Sequence, residues 1–313
     1  MTFKEQAQAF LTSIQNRRRN PVKPSTVAAY QSRLDSHILP QLGALELSQI
    51  ENGALRVFVT NLTAENLSAA YINGLVGLVK DVVSSATDSN GNELYPRTWN
   101  SEFMDLPVIN PRSQSTPVAT PASIQKALGK AKGQEKALYA LLAGTGLRIG
   151  EALALRYGPD NGRDSYWSPE TGTLTIRTTM DVSNGQIMSS PKTEAGIRQV
   201  DLHPDLNNYL CSILANDSTP SQSLVFTGQT GGPVRFNTLR EHATELGLNP
   251  CFHAYRRFRI TYLDSVGAPR GLVKFWAGHA ASDVTERYIR SGEGHIERKE
   301  WAEKAGLGFQ LNQ

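Results

Sequence analysis

The chain has 313 residues and only two cysteines, Cys211 and Cys251, with no CxxC spacing and no Cys/His cluster. That scarcity excludes a disulfide framework and a cysteine-built zinc site, and it fits isolated thiols in a reducing compartment. No apolar run is long enough to span a bilayer, and Met1 to Arg19 carries neither the apolar run nor the small-residue pattern of a cleaved leader. The expectation is therefore a cytoplasmic protein (nuclear in a nucleated cell) with no membrane partner. An excess of charge is also missing: 32 Lys and Arg stand against 29 Asp and Glu, a net of +3. Any anionic partner must be met by local clustering. No acidic cluster stands beside the histidines that a metal would need, so no metal and no cofactor is expected. Internal repeats and low-complexity tracts are absent, and 39% hydrophobic residues suffice for the cores of two domains.

What the chain does have is concentrated in HAYRRFRITYLDSVGAPRGLVKFWAGHAASDVTERY, from His253 to Tyr288. If His253 opens a helix, Arg256 lies on nearly the same face, while Tyr255, Phe258 and Tyr262 recur at helical spacing and pack. Gly267-Ala268-Pro269 breaks that helix, Leu272 to Trp276 forms a second short segment, and Gly278 ends it just before His279. Ser282 or Asp283 can cap a third helix, which delivers Tyr288 nine residues after His279. Each residue alone has an ordinary structural reading, since a lone histidine is usually a satisfied polar group and a tyrosine at helical spacing is usually core. Together they gather cationic donors suited to a phosphate around one possible nucleophile.

About a hundred residues upstream, the apolar run Ala137 to Ala143 reaches Gly144-Thr145-Gly146-Leu147-Arg148-Ile149-Gly150-Glu151. The glycines allow a sharp turn, so Arg148 is expected near a helix start, with Glu151 one turn on and able to orient it. Lys192 precedes the strand-like Ile197 to Leu202 and falls on a hairpin turn.

This combination resembles the tyrosine recombinases, or phage integrases. In that family a TGLRxxE box, a hairpin lysine, an HxxR box, a GH pair and a tyrosine nine residues later form one active site. The resemblance covers Pro121 to Ala305. It carries Arg148, Glu151, Lys192, His253, Arg256, His279 and Tyr288 into the catalytic positions. The forty-four residues from Arg148 to Lys192 depart from the family pattern and are read as an enlarged loop, Gly158 to Gly172. The resemblance implies site-specific recombination of double-stranded DNA through a 3′-phosphotyrosine, without metal or ATP. It also implies a homo-tetramer on two recombination sites, and a tail helix near Trp301 that docks on a neighbouring protomer across a Ser291–Gly294 hinge. A type IB topoisomerase, a catalytically silent DNA-binding relative and a metal-dependent nuclease are the competing readings.

The expected fold is mainly α with a small antiparallel β-sheet: a helical N-terminal core-binding domain over 1–109, a Pro/Ser/Thr-rich linker over 110–123, and an α+β tyrosine-recombinase catalytic domain with a tail helix over 124–313. The N-terminal domain reads as helices at Thr26–Ile38, Ser48–Asn61 and Ser68–Ala86, followed by a loop from Asp88 to Trp99. Only about twenty-five residues precede the first of these, so no additional arm-binding domain is expected. Residues 1–112 hold ten basic and ten acidic groups, yet Arg17, Arg18, Arg19 and Lys23 cluster into a patch expected to touch DNA phosphates. In the catalytic part, helices are expected at Ser123–Lys132, Glu135–Ala143, Pro204–Ala215 and Val234–Leu246, and strands at Thr173–Met180, Gln186–Met188 and Ile197–Leu202. A last helix is expected between Gly294 and Leu307.

Overall fold

The computed structural model describes all residues except 20, 111–116, 159, 189–196, 215–221, 229, 280–294 and 312–313. Two compact units divide the chain, Met1–Gln114 and Ser115–Gln313, and the division falls inside the stretch 110–123.

The first unit is helical and starts earlier than the sequence reading placed it. Thr2 caps α1 (Phe3–Gln15) with a reciprocal capping box, Glu5 N–H to Thr2 and Thr2 N–H to the Glu5 carboxylate. Phe3, Ala7, Phe10, Leu11 and Ile14 then form a buried stripe at helical spacing. α2 (Pro24–Arg33) runs through a π-turn at Leu34–Ile38 into α3 (Leu39–Leu42). α4 (Asn52–Ala64) and α5 (Ala69–Ser84) complete a core in which Leu34, Ile38, Leu55, Phe58, Leu62, Leu75 and Val79 are almost wholly buried. Each such side chain contributes about 1.5–3 kcal/mol by leaving water. The loop before Trp99 folds back on α4: the Asn52 side chain donates to Thr98 O and accepts from Asn100 N–H, both at 3.0 Å.

The second unit is built around α7 (Gly133–Thr145), where every residue from Ala137 to Thr145 is buried. A helix apolar on all faces must be wrapped, and α6 (Pro121–Lys130), α9 (Pro204–Leu214) and α11 (His253–Ser265) pack on it. α8 (Ile149–Leu153), α10 (Phe236–Glu245), α12 (Arg270–Ala277) and the tail helix α13 (His295–Ala305) complete the described helices.

The sheet is mixed. β1 (Leu155–Tyr157) lies parallel to β2 (Ser165–Ser168), while β3 (Thr173–Ile176) pairs antiparallel with β2 and with β6 (Arg198–Asp201). The stretch read as an enlarged loop thus contains a strand. Its turn is held by Asn161 Oδ1, which accepts from Arg163 and Asp164 N–H, and by an Asp160–Arg177 ion pair. The long strand expected over Thr173–Met180 is broken at Arg177-Thr178. It resumes as β4 (Thr179–Met180), which pairs with β5 (Ile187–Met188). No described helix is long and apolar enough to cross a membrane.

Candidate active site

The packing of α7 fixes where Arg148 emerges. Gly146 ends the helix in the left-handed conformation, φ 71°, which only glycine adopts without strain. Leu147 is buried and Arg148, 44% exposed at its side chain, opens α8. Glu151, only 2% exposed, accepts from the Arg148 backbone N–H at 2.9 Å and from its guanidinium at 2.8 Å. The other side of the same carboxylate is taken by Arg198 of β6, wholly buried, at 2.9 and 3.2 Å in a two-pronged pair. Burial by itself would raise the Glu151 carboxyl. Arg198 overcomes this by charge and hydrogen bond, helped by Arg148, and holds it below the usual carboxylate value.

Arg256 approaches from α11, three residues after the exposed His253. Its guanidinium donates to Gly146 O at 2.9 Å and to Ala277 O. Burial first, then the neighbouring Arg148 charge, pulls its pKa down to about 10, so it stays protonated at neutral pH. α12 brings the last described member. It closes on Gly278 in the left-handed conformation, φ 62°, with Gly278 N–H bonded to Phe275 O and His279 N–H to Lys274 O. A Cβ at Gly278 would stand 2.8 Å from Arg198 Nη1, so no larger residue fits without moving that guanidinium. Both imidazoles are pushed below the usual histidine value. For His253 the causes are burial, then Arg257, Arg256, Arg148 and His279; for His279 they are burial, then Arg256, Arg148 and Arg198. Both shifts favour the uncharged imidazole.

The structure thus brings Arg148, Glu151, His253, Arg256 and His279 into one cluster. Lys192 and Tyr288 lie outside the described residues, as does the expected Ser291–Gly294 hinge. Two other tyrosines of the region do not offer a free phenol. Tyr255 is buried against Tyr139, ring centroids 5.7 Å apart, with its ionisation pushed far up by burial, and Tyr262 donates to Ala305 O at 2.8 Å. Among the described residues no group of three or more His, Cys, Asp or Glu side chains could hold a metal ion. Arg17, Arg18 and Arg19 are exposed just past the end of α1, and Lys23 caps the start of α2 half-buried. Within the single chain, α13 packs on the second unit. There Ala302 and Ala305 are buried and Arg298 pairs with Asp201 at 3.0 Å.

Sequence reasoning missed Arg198. The signal was present: in a strand with Val200 and Leu202 facing the core, period-two alternation puts residue 198 on that face. Asp201 and Arg298, a second buried pair, left no comparable signal.

A helical unit followed by a helical unit with a small mixed sheet is a fold the chain shares with solved integrases. Residues 2–63 match the family model for the phage integrase N-terminal SAM-like domain. The chain is similar in structure to the Tn1549 transposon integrase in complex with transposon right end DNA: TM-score 0.64, 17% identity, 96% of this chain and 98% of that one covered. It is similar to a lambda integrase dimer bound to a COC′ core site, with TM-score 0.62, 15% identity and coverage of 94% and 97%. A lambda integrase tetramer bound to a Holliday junction gives TM-score 0.59 at 13% identity, covering 91% of this chain and 79% of that one. No curated protein sequence matches at a significant level.

Proposed function

We propose that this chain is a site-specific DNA recombinase that cuts and rejoins duplex DNA through a covalent 3′-phosphotyrosine, without metal or ATP, as a tetramer on two sites. One observation carries the reading: among the described residues, Arg148 and Arg198 both grip the single carboxylate of Glu151, the Arg256 guanidinium stands close enough to feel its charge, and two imidazoles with lowered pKa lie beside them. Such a centre lacks negative charge, and a phosphodiester supplies it.

In this reading the Tyr288 oxygen attacks phosphorus and the bond to the bridging 5′ oxygen breaks. Arg148, oriented by Glu151, and Arg256, fixed by two carbonyls, hold the non-bridging oxygens. They favour the more highly charged transition state over the ground state. His279 adds a hydrogen bond, and neutral His253 takes the phenolic proton. Lys192 gives the departing 5′ oxygen its proton. The phosphotyrosine keeps the energy of the broken bond, so a second 5′ hydroxyl can reverse the step and join a new strand.

The test starts with duplexes selected by the full chain from random-sequence DNA, then placed as paired sites on supercoiled plasmids. A detergent-resistant protein adduct on a 3′ end, together with recombinant plasmids, both insensitive to EDTA, is the expected result. Relaxed plasmid without recombinants would move the assignment to a topoisomerase, and loss of cleavage in EDTA to a metal-dependent nuclease. Replacing Arg17, Arg18 and Arg19 by alanine is expected to weaken binding to all sequences alike. It should also flatten the plot of log affinity against log salt by up to about 0.9 per lost phosphate contact. An unchanged slope in band-shift titrations removes the patch from the interface.

A further inference from the structure

Both buried arginines of the site are tied to the last turn of α12. Trp276 O accepts from Arg198 Nε at 2.7 Å, and Ala277 O accepts from Arg256. That turn is held from its other side by the tail helix. The Trp276 indole N–H donates to Asp201 Oδ2 at 3.1 Å, and the same oxygen accepts from Arg298 Nε at 3.0 Å. Arg298 also donates to Gln199 Oε1 at 3.0 Å and lies 5.3 Å from the centre of the Phe275 ring. The Asp201 carboxylate is fully buried and Arg298 nearly so. One strand, β6, therefore carries at its first residue the arginine that braces Glu151 and at its last the carboxylate that anchors the tail, with Trp276 touching both.

We propose that Arg298 is a positioning residue for the reaction: through Asp201 and Trp276, the tail helix sets the pair of α12 carbonyls that aim Arg198 and Arg256. A pair that only stapled the tail in place could have been built against any part of the domain. This one grips Phe275 and Trp276, directly before the carbonyl that fixes Arg256. Loss of the grip lets the last turn of α12 shift and turn both guanidiniums, and displacements near 1 Å in a positioned site cost on the order of a hundredfold in rate. The inference rests on the recombinase reading above.

The experiment measures adduct formation at saturating protein on a selected duplex carrying a bridging 5′ sulfur, with affinity measured separately by band shift. Trp276→Phe keeps an aromatic ring and the Asp201–Arg298 pair but removes the indole donor. It is expected to slow the saturated rate roughly ten- to a hundredfold while affinity stays within about twofold. Arg298→Met is expected to do the same, Arg298→Lys to recover part of the rate, and the Trp276→Phe/Arg298→Met double variant to be no slower than the worse single, because both break one chain of contacts. Wild-type rates in both singles, losses that multiply in the double, or a loss confined to affinity would each overturn the proposal. If Arg298→Met does not fold, Trp276→Phe decides alone, since its buried ion pair is intact. No adduct from the wild-type chain would instead overturn the recombinase reading itself.

Discussion

Replacing Tyr288 by phenylalanine is expected to abolish the protein–DNA adduct on every substrate, whereas Lys192→Ala should slow cleavage in a way that chemistry can reverse. The phenol oxygen is the one atom proposed to bond phosphorus, so its removal leaves nothing for DNA to be attached to. Tyr255 and Tyr262 cannot substitute for it. The first is buried with its ionisation pushed up, and the second has its hydroxyl committed to Ala305 O. Lysine acts at the other end of the broken bond. A 5′ alkoxide that leaves unprotonated is a poor leaving group, and loss of a positioned acid costs about 10²–10⁴-fold. With sulfur in place of the bridging 5′ oxygen, the departing thiolate hardly needs a proton. The lysine variant should then recover cleavage and the phenylalanine variant should not. Gel detection of adduct for both variants on both substrates reads the result. A lysine variant that sulfur fails to restore would make Lys192 a phosphate ligand and leave the acid unassigned.

How far the sequence carried depended on whether a contact had a local signature. The arginine box, the HxxR helix and the Gly278-His279 turn were legible because each is governed by short-range rules: a glycine at positive φ, a three-residue helical spacing, an apolar run that ends. Their gathering into one place could be inferred only through the family resemblance. The structure shows it, with Arg256 bonded to a carbonyl 110 residues earlier in the chain. α1 carries its capping box and apolar stripe in the sequence, but the features that exclude a leader over Met1 to Arg19 do not bear on an amphipathic helix there. β2 was hidden for a different reason. Four residues of alternating burial inside a polar loop lie below the length at which periodicity separates strand from coil. The β1–β2 parallel pairing and the Asp201–Arg298 contact are purely tertiary, since nothing near either residue favours its partner.

Glu151→Ala is expected to be the most damaging substitution to the fold of the site, and its damage should be of a recognisable kind. The alanine leaves Arg198, with no exposed side-chain surface, stripped of the carboxylate that balances it, and leaves Arg148 without its anchor. Breaking a buried pair from one side costs about 3–5 kcal/mol, to be read as a lower urea midpoint at unchanged slope. The pH dependence follows from the direction of the Glu151 shift. Its carboxyl is held below the usual value in the folded state, so its stabilisation is fully present above the unfolded value of about 4.3 and is lost as pH falls through the lower folded value. The gap between wild type and Glu151→Ala should accordingly narrow on acidification below about pH 4.3. Inorganic sulfate should narrow it as well. An anion that binds only the folded state contributes about 2.7 kcal/mol at a hundred times its dissociation constant. The variant, with three guanidiniums and no carboxylate among them, should bind sulfate more tightly than the wild type and gain more. Equal gains from sulfate would mean that Glu151 does not share its place with an anion. The cluster would then lose the charge imbalance that points to phosphate.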